Sequence, residues 1–131
     1  MRKNGFTIVE LVIVIAVIAI LAAVLIPTFS SVIDKANKVS EEAFLKEVVI
    51  GLQIVLADHS EIRDLRLFVT DGHLDLMITP FDASKNEQIK AELKDFVAFD
   101  EKELSYYDEE RLADAIKFDY ESRSFSLNFD S

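Results

Sequence analysis

One carboxylate, Glu10, stands inside a run from Phe6 to Ile26 in which it and Thr7 are the only polar side chains. An ionised acid in a membrane helix costs about 2.5 to 3.5 kcal/mol at the bilayer centre and less near an end. That cost has to be avoided or repaid. Avoidance is open to Glu10 because it sits one turn inside the apolar run, where a side chain can snorkel or take up a proton. Repayment would need a cationic partner.

Pro27 closes the same run. It has no amide hydrogen and its ring clashes with the carbonyl of Ala23, so it kinks a helix, loosens it locally, or marks its exit from a membrane. From Asp95 to Asp114 eight acids (Asp95, Asp100, Glu101, Glu103, Asp108, Glu109, Glu110 and Asp114) face only Lys102 and Arg111. Oxygen-rich stretches of this kind can hold calcium, but no EF-hand spacing is present and a solvated acidic face is the simpler expectation. His59 and His73 are isolated and read as a helix-end and a strand-surface residue. Tyr106 and Tyr107 read as core packing ahead of a partner contact. No Gly-rich phosphate loop, nucleophile motif or metal-spaced His pair is found, so the expectation is a protein without enzymatic activity and without a cofactor, calcium being the one candidate.

The elements behind these residues follow from composition. The chain has 131 residues, a formal net charge of -10, no Cys, 3 Gly and 2 Pro. That is one domain's length, and the missing Cys excludes disulfides, thiolate metal sites and a catalytic Cys. Half the residues are hydrophobic while 29% are charged, and the two populations are separated along the chain. Leu11 to Ile26 is wholly Leu, Val, Ile and Ala. A helix over Phe6 to Ile26, at about 1.5 Å per residue, reaches about 30 Å, the thickness of a hydrocarbon core. Arg2 and Lys3 on the short flank place the N-terminus in the cytoplasm and the acidic remainder outside. That remainder repels nucleic-acid phosphates, so direct DNA binding is not expected.

Beyond Pro27 the helical period resumes with Phe29, Val32, Ile33, Ala36, Val39 and Ala43, then Phe44, Val48, Leu52 and Val55, predicting one helix from about Thr7 to Ala57 whose second half lays an apolar stripe against the head. Arg66 to Thr70 and His73 to Thr79 flank Asp71-Gly72, a strong hairpin signal. Ile116 to Tyr120 and Ser124 to Phe129 form a second hairpin, with Ile116, Phe118, Tyr120, Phe125, Leu127 and Phe129 expected to face the long helix. Short helices are expected over Ser84 to Phe96 and Asp108 to Ala115. The fold class is α+β: a long N-terminal helix, its first half transmembrane, packed on a small antiparallel β-sheet head.

The stretch Lys3-Asn4-Gly5-Phe6-Thr7-Ile8-Val9-Glu10-Leu11, followed by the aliphatic run and Pro27, resembles the N-terminus of type IV pilins and of the pseudopilins of type II secretion and DNA-uptake (competence) machines. The resemblance covers about Met1 to Lys38. It implies a prepilin leader over residues 1–5, a transmembrane and assembly half of the helix over 6–27, and an extracytoplasmic acidic head over 28–131. It further implies cleavage by prepilin peptidase between Gly5 and Phe6 and N-methylation of Phe6. Cleavage creates an α-amino group with an ordinary pKa of about 7.7 to 8.0, which supplies the cation that Glu10 needs, on its own helix or on a neighbouring subunit. The family supports the second pairing, which makes Glu10 the residue that sets register in the filament. Pro27 is implied to be a helix break that can melt when subunits pack. Asn4 stands where the family often has a basic residue, which leaves processing efficiency less certain than the site, and the absent C-terminal Cys pair leans toward a pseudopilin, a minor pilin or a lineage without that disulfide. The implied partners are prepilin peptidase, other pilin or pseudopilin subunits, an inner-membrane assembly platform and the membrane itself. The alternative is a single-pass anchored binding or sensor module that is never cleaved.

Overall fold

The computed structural model describes residues 5–129, so Arg2, Lys3, Asn4 and most of the expected leader lie outside the described residues. A single helix, α1, runs Ile8–Ala57 and carries Pro27 within it without interruption. Just after the proline, Thr28 turns its hydroxyl back to donate to the carbonyl of Val24 at 3.1 Å, a bond that takes up one carbonyl in this weakened turn. The chain forms two compact units, 1–36 and 37–131.

In the first unit α1 is exposed throughout, and residues 11–26 are apolar on every side, within a helix long and apolar enough to cross a membrane. A stretch of that kind is covered by a large core or by lipid, and here it is exposed from end to end.

The second unit holds the core. Leu45, Val48, Leu52 and Val55 of α1 recur at helical spacing and are buried, whereas Phe29, Val32, Ile33 and Val39 are exposed. The expected stripe therefore becomes a buried one only from Glu41 onward. Strands β1 (Asp64–Thr70) and β2 (His73–Thr79) pair antiparallel, bringing Leu65 opposite Ile78, Leu67 opposite Leu76 and Val69 opposite Leu74. Between them Asp71 and Gly72 take φ of 52° and 78°, the left-handed pair that a tight two-residue hairpin requires. Helix α2 (Ala83–Lys94) begins at Asp82, whose side chain accepts from the amide of Lys85, and buries Ile89 and Leu93. Gly51 of α1 allows the close approach of α2: a Cβ there would stand 2.9 Å from Cδ1 of Leu93. Helix α3 (Glu109–Ala115) is capped by Asp108 in the same way.

Strands β3 (Ile116–Asp119) and β4 (Ser124–Leu127) form the second hairpin. Two features differ from the sequence expectation. The strands make two separate two-stranded sheets instead of one, and the second hairpin lies beside β1 and α3. In that position Ile116 is buried, but Tyr120 and Leu127 are exposed, so these two do not turn inward. For Tyr120 the reason is length: β3 ends at Asp119, and the turn of 120–123 carries Tyr120 off the strand. Leu127 is the last residue of β4, opposite Ile116.

Candidate N-terminal processing and assembly site

Gly5, Phe6 and Thr7 lie outside α1, and Phe6 is 89% exposed. A Cβ built on Gly5 meets no atom within 4 Å, and its φ is not in the left-handed region. The chain's own fold thus gives no steric reason for glycine there, and a demand for it must come from whatever handles this segment.

The helix begins in a defined way. The carbonyl of Thr7 accepts from the amide of Leu11 at 3.1 Å, which makes Thr7 the N-cap. Its hydroxyl accepts from the amide of Glu10 at 3.1 Å, and the Glu10 carboxylate accepts from the amide of Thr7 at 3.3 Å. These reciprocal bonds are a capping box, which satisfies two of the orphan donors at a helix N-terminus. The Thr-x-x-Glu spacing that announces it was present in the sequence and was not read there. Glu10 accordingly has an intrachain task in addition to any partner it finds, and its negative charge also sits at the favourable end of the helix dipole. Pro27 stands seventeen residues further along the same helix.

In the second unit three polar arrangements tie loops to helices. Glu41 is buried, in phase with Leu45, Val48 and Leu52, and accepts from the amides of Tyr106 at 3.0 Å and Tyr107 at 3.2 Å, and from the hydroxyl of Ser105. Beside it the Tyr107 hydroxyl donates to Glu42 at 2.9 Å. Burial, then this carboxylate, pushes the phenol well above the ordinary tyrosine range. Tyr107 is a core residue, and Tyr106 lies half-buried under the Arg111 guanidinium at 4.4 Å.

The second arrangement closes the end of α1. Arg123, held at φ 51° in the turn of the second hairpin, donates to the carbonyls of Leu56, His59 and Ile62 at 2.7 to 3.1 Å. Of these only Leu56 lies in the last turn of α1, where carbonyls lack intrahelical partners; its oxygen also accepts the amide of His59. The third is His59, which is buried and not an isolated helix-end residue. Its ring nitrogens lie 3.3 Å from Glu61 and 2.8 Å from Glu92, and Glu61 in turn pairs with Lys85 at 2.9 Å. The Lys85 ammonium foremost, with help from its own backbone amide and His59, holds the Glu61 carboxyl down at about 2. His59 likewise lowers Glu92.

Among the described residues no group of three or more His, Asp or Glu side chains converges to hold a metal. Three of the eight acids of 95–114 have separate tasks: Asp100 pairs with Lys94 at 3.0 Å, Asp108 caps α3 and Glu109 pairs with Arg66.

Comparison with known proteins falls on the N-terminal segment. The family described as the prokaryotic N-terminal methylation motif matches residues 1–26. The type IV wide pilus major component of Thermus thermophilus is 53% identical over 48 residues, 37% of either chain. The type IV narrow pilus major component of the same organism is 46% identical over 43 residues, covering 33% of this chain and 37% of the relative. A prepilin peptidase-dependent protein of Clostridium perfringens is 26% identical over 89 residues, 66% of this chain and 64% of the relative. The chain thus spans less than two thirds of the length of the relatives it matches. No solved structure matches. The chain therefore carries a prepilin-type methylation motif and resembles type IV pilins at its N-terminus, on a long helix and small antiparallel sheets that suit that fold.

Proposed function

We propose that this protein is a structural subunit, pilin, minor pilin or pseudopilin, of a type IV pilus-like filament. The observation that carries the reading is the coincidence of the methylation motif at residues 1–26 with an exposed apolar helix of membrane length that starts just after Phe6. Residues 1–5 serve as a leader removed by prepilin peptidase between Gly5 and Phe6, and the new amine of Phe6 is methylated. Residues 6–27 hold the subunit in the cytoplasmic membrane, N-terminus inside, until an assembly platform extracts it into the filament. The head, 28–131, then faces outward.

Cohesion in the filament comes from the aliphatic surface of the first half of α1, which is exposed among the described residues. Within the head, Ile50 and Ile54 on α1 and Phe96 beside them are also exposed. Glu10 pairs with the methylated amine of a neighbouring Phe6 and thereby selects axial register, since a misplaced subunit would leave one charge unpaired in low dielectric. Pro27 gives the stretch where the helix can loosen during packing. None of these roles requires catalysis by the chain itself, and the relatives named as major pilus components fit a building role.

The test is the intact mass and N-terminal sequence of the protein extracted from membranes of its host, or of cells supplied with a prepilin peptidase. A chain beginning at methylated Phe6 is expected. A chain that keeps residues 1–5 beside an active peptidase would instead identify a permanently anchored module.

A further inference from the structure

Hydrolysis of the Gly5–Phe6 peptide adds one water: hydroxyl goes to the carbonyl carbon of Gly5 and hydrogen to the nitrogen of Phe6 as the C–N bond breaks. A peptidase reaches that bond only if the backbone around it is free of internal hydrogen bonds. A peptide inside a helix has its carbonyl engaged and its flanks wrapped by the preceding turn, and unwinding it in lipid, where orphaned amides find no water, is costly. The boundary of α1 relative to the scissile bond is therefore part of the substrate's chemistry.

That boundary lies two residues beyond the bond. Residues 5–7 are outside the helix, α1 opens at Ile8, and the Thr7 hydroxyl and Glu10 carboxylate lock the opening by their reciprocal bonds at 3.1 and 3.3 Å. The next side chain upstream able to cap a helix is Asn4, three residues before Thr7. Asn is as good an N-cap as Thr or better. A helix started there would have Gly5 and Phe6 as its first two residues and would draw the scissile peptide into its first turn. Residues 8–26 are strong apolar helix formers in lipid, so the tendency to extend backward is real, and a cap placed at Thr7 opposes it.

We propose that Thr7 is a positioning residue for prepilin processing: its capping box with Glu10 stops α1 at Ile8 and so keeps the Gly5–Phe6 peptide outside the helix, where the peptidase can take it. This rests on the processing reading given above. It assigns a task to Thr7, which the register role of Glu10 does not use, and it gives Glu10 a neutral task, hydrogen-bond acceptance, separable from its charge.

The experiment follows cleavage of the full-length chain in phosphatidylethanolamine/phosphatidylglycerol vesicles by a co-reconstituted prepilin peptidase, reading initial rate and product mass. Thr7→Val keeps the shape and removes the hydroxyl, and its rate is expected to fall about fivefold, the typical worth of an N-cap expressed as a rate. Thr7→Ser, which restores the acceptor, is expected within about twofold of the wild type, as is Glu10→Gln, whose amide oxygen still accepts from Thr7. Wild-type rates for Thr7→Val, or a Thr7→Ser chain as slow as Thr7→Val, would overturn the positioning role while leaving processing intact. A wild-type chain not cut after Gly5 at all would overturn the processing reading itself.

Discussion

The buried carboxylate of Glu41, on α1, lies 3.0 Å from the amide nitrogen of Tyr106 and 3.2 Å from that of Tyr107, sixty-five and sixty-six residues away in the chain. A charge on the apolar stripe thereby becomes the anchor of a loop. Oε1 accepts from both amides, while Oε2 accepts from the Tyr106 amide at 3.1 Å and from the Ser105 hydroxyl. An amide in place of the carboxylate therefore keeps the Oε1 bonds and gives up those to Oε2, whereas truncation orphans two buried donors at about 1 to 3 kcal/mol each. Glu41→Ala is expected to destabilise the head by about 3 kcal/mol and Glu41→Gln by about 1 kcal/mol. Chemical unfolding of the full chain in detergent, followed by far-ultraviolet circular dichroism, measures both. Equal losses for the two variants would mean that charge, not hydrogen-bond acceptance, is what the loop uses.

Arg123 closes the other end of the head's helix. One guanidinium donates to three carbonyls, of which those of Leu56 and His59 also accept a backbone amide, and charge-assisted bonds contribute more than neutral ones. Replacement by Ala should cost about 2 kcal/mol. Lys should recover only part of that, because an ammonium lacks the planar fork that addresses separated carbonyls. Hydrogen exchange of the last turn of α1 localises the effect: faster exchange at residues 54–57 is expected in both variants, and an unchanged pattern would show that Arg123 does not cap the helix.

Stability should depend on acid in a direction set by Glu61 and Glu92. Both are held below the ordinary carboxylate range in the fold, Glu61 at about 2 through the Lys85 hydrogen bond and Glu92 through His59. A carboxyl depressed by folding stabilises fully above its unfolded value of 4.5 and loses that contribution as pH falls toward the folded value. The unfolding midpoint should therefore decline between pH 5 and pH 2.5. Lys85 is raised by the same pair, so a complementary loss belongs above its unfolded value of 10.5. Lys85→Met should flatten the acid limb, and a variant limb as steep as the wild type's would assign the acid sensitivity elsewhere.

Much of this fold is legible in residue order. The period from Phe44 to Val55 marks the buried face of α1, and Asp71-Gly72 between alternating apolar residues fixes a hairpin whose partners are Leu65 with Ile78 and Leu67 with Leu76. These signals are local, and local signals survive tertiary context. What escaped was long-range or polar. Glu41 looks like one more exposed acid until its phase with Leu45 and Val48 is counted, and only the distant loop at 105–107 explains it. His59 shows no motif because its partner Glu92 comes from another helix. In the second hairpin β3 lies by β1 and α3, while the turn reaches α1 through Arg123 and Leu56; alternation names an inward face without naming all that lies inside. At the N-terminus the Thr7 cap is a local signal, Thr-x-x-Glu, masked by the more conspicuous charge of Glu10 beside it.

The two tasks of Glu10 separate in one substitution. Glu10→Gln keeps an oxygen for the Thr7 amide and so preserves the start of α1, but it removes the negative charge proposed to meet the amine of a neighbouring Phe6. Breaking one side of an ion pair in low dielectric costs about 3 to 5 kcal/mol when the remaining charge is fully buried. Near the membrane surface, where the amine can reach water before assembly, the loss is smaller, about 1.4 kcal/mol or more, and that is tenfold in the assembly equilibrium. The variant is therefore expected to be cut and methylated normally, to accumulate in the membrane, and to appear in sheared filaments at one tenth of the wild-type amount or less. Quantifying the chain in membrane and filament fractions of the same cells decides the matter: normal incorporation of Glu10→Gln would remove the charge from the register mechanism and leave Glu10 as a helix cap.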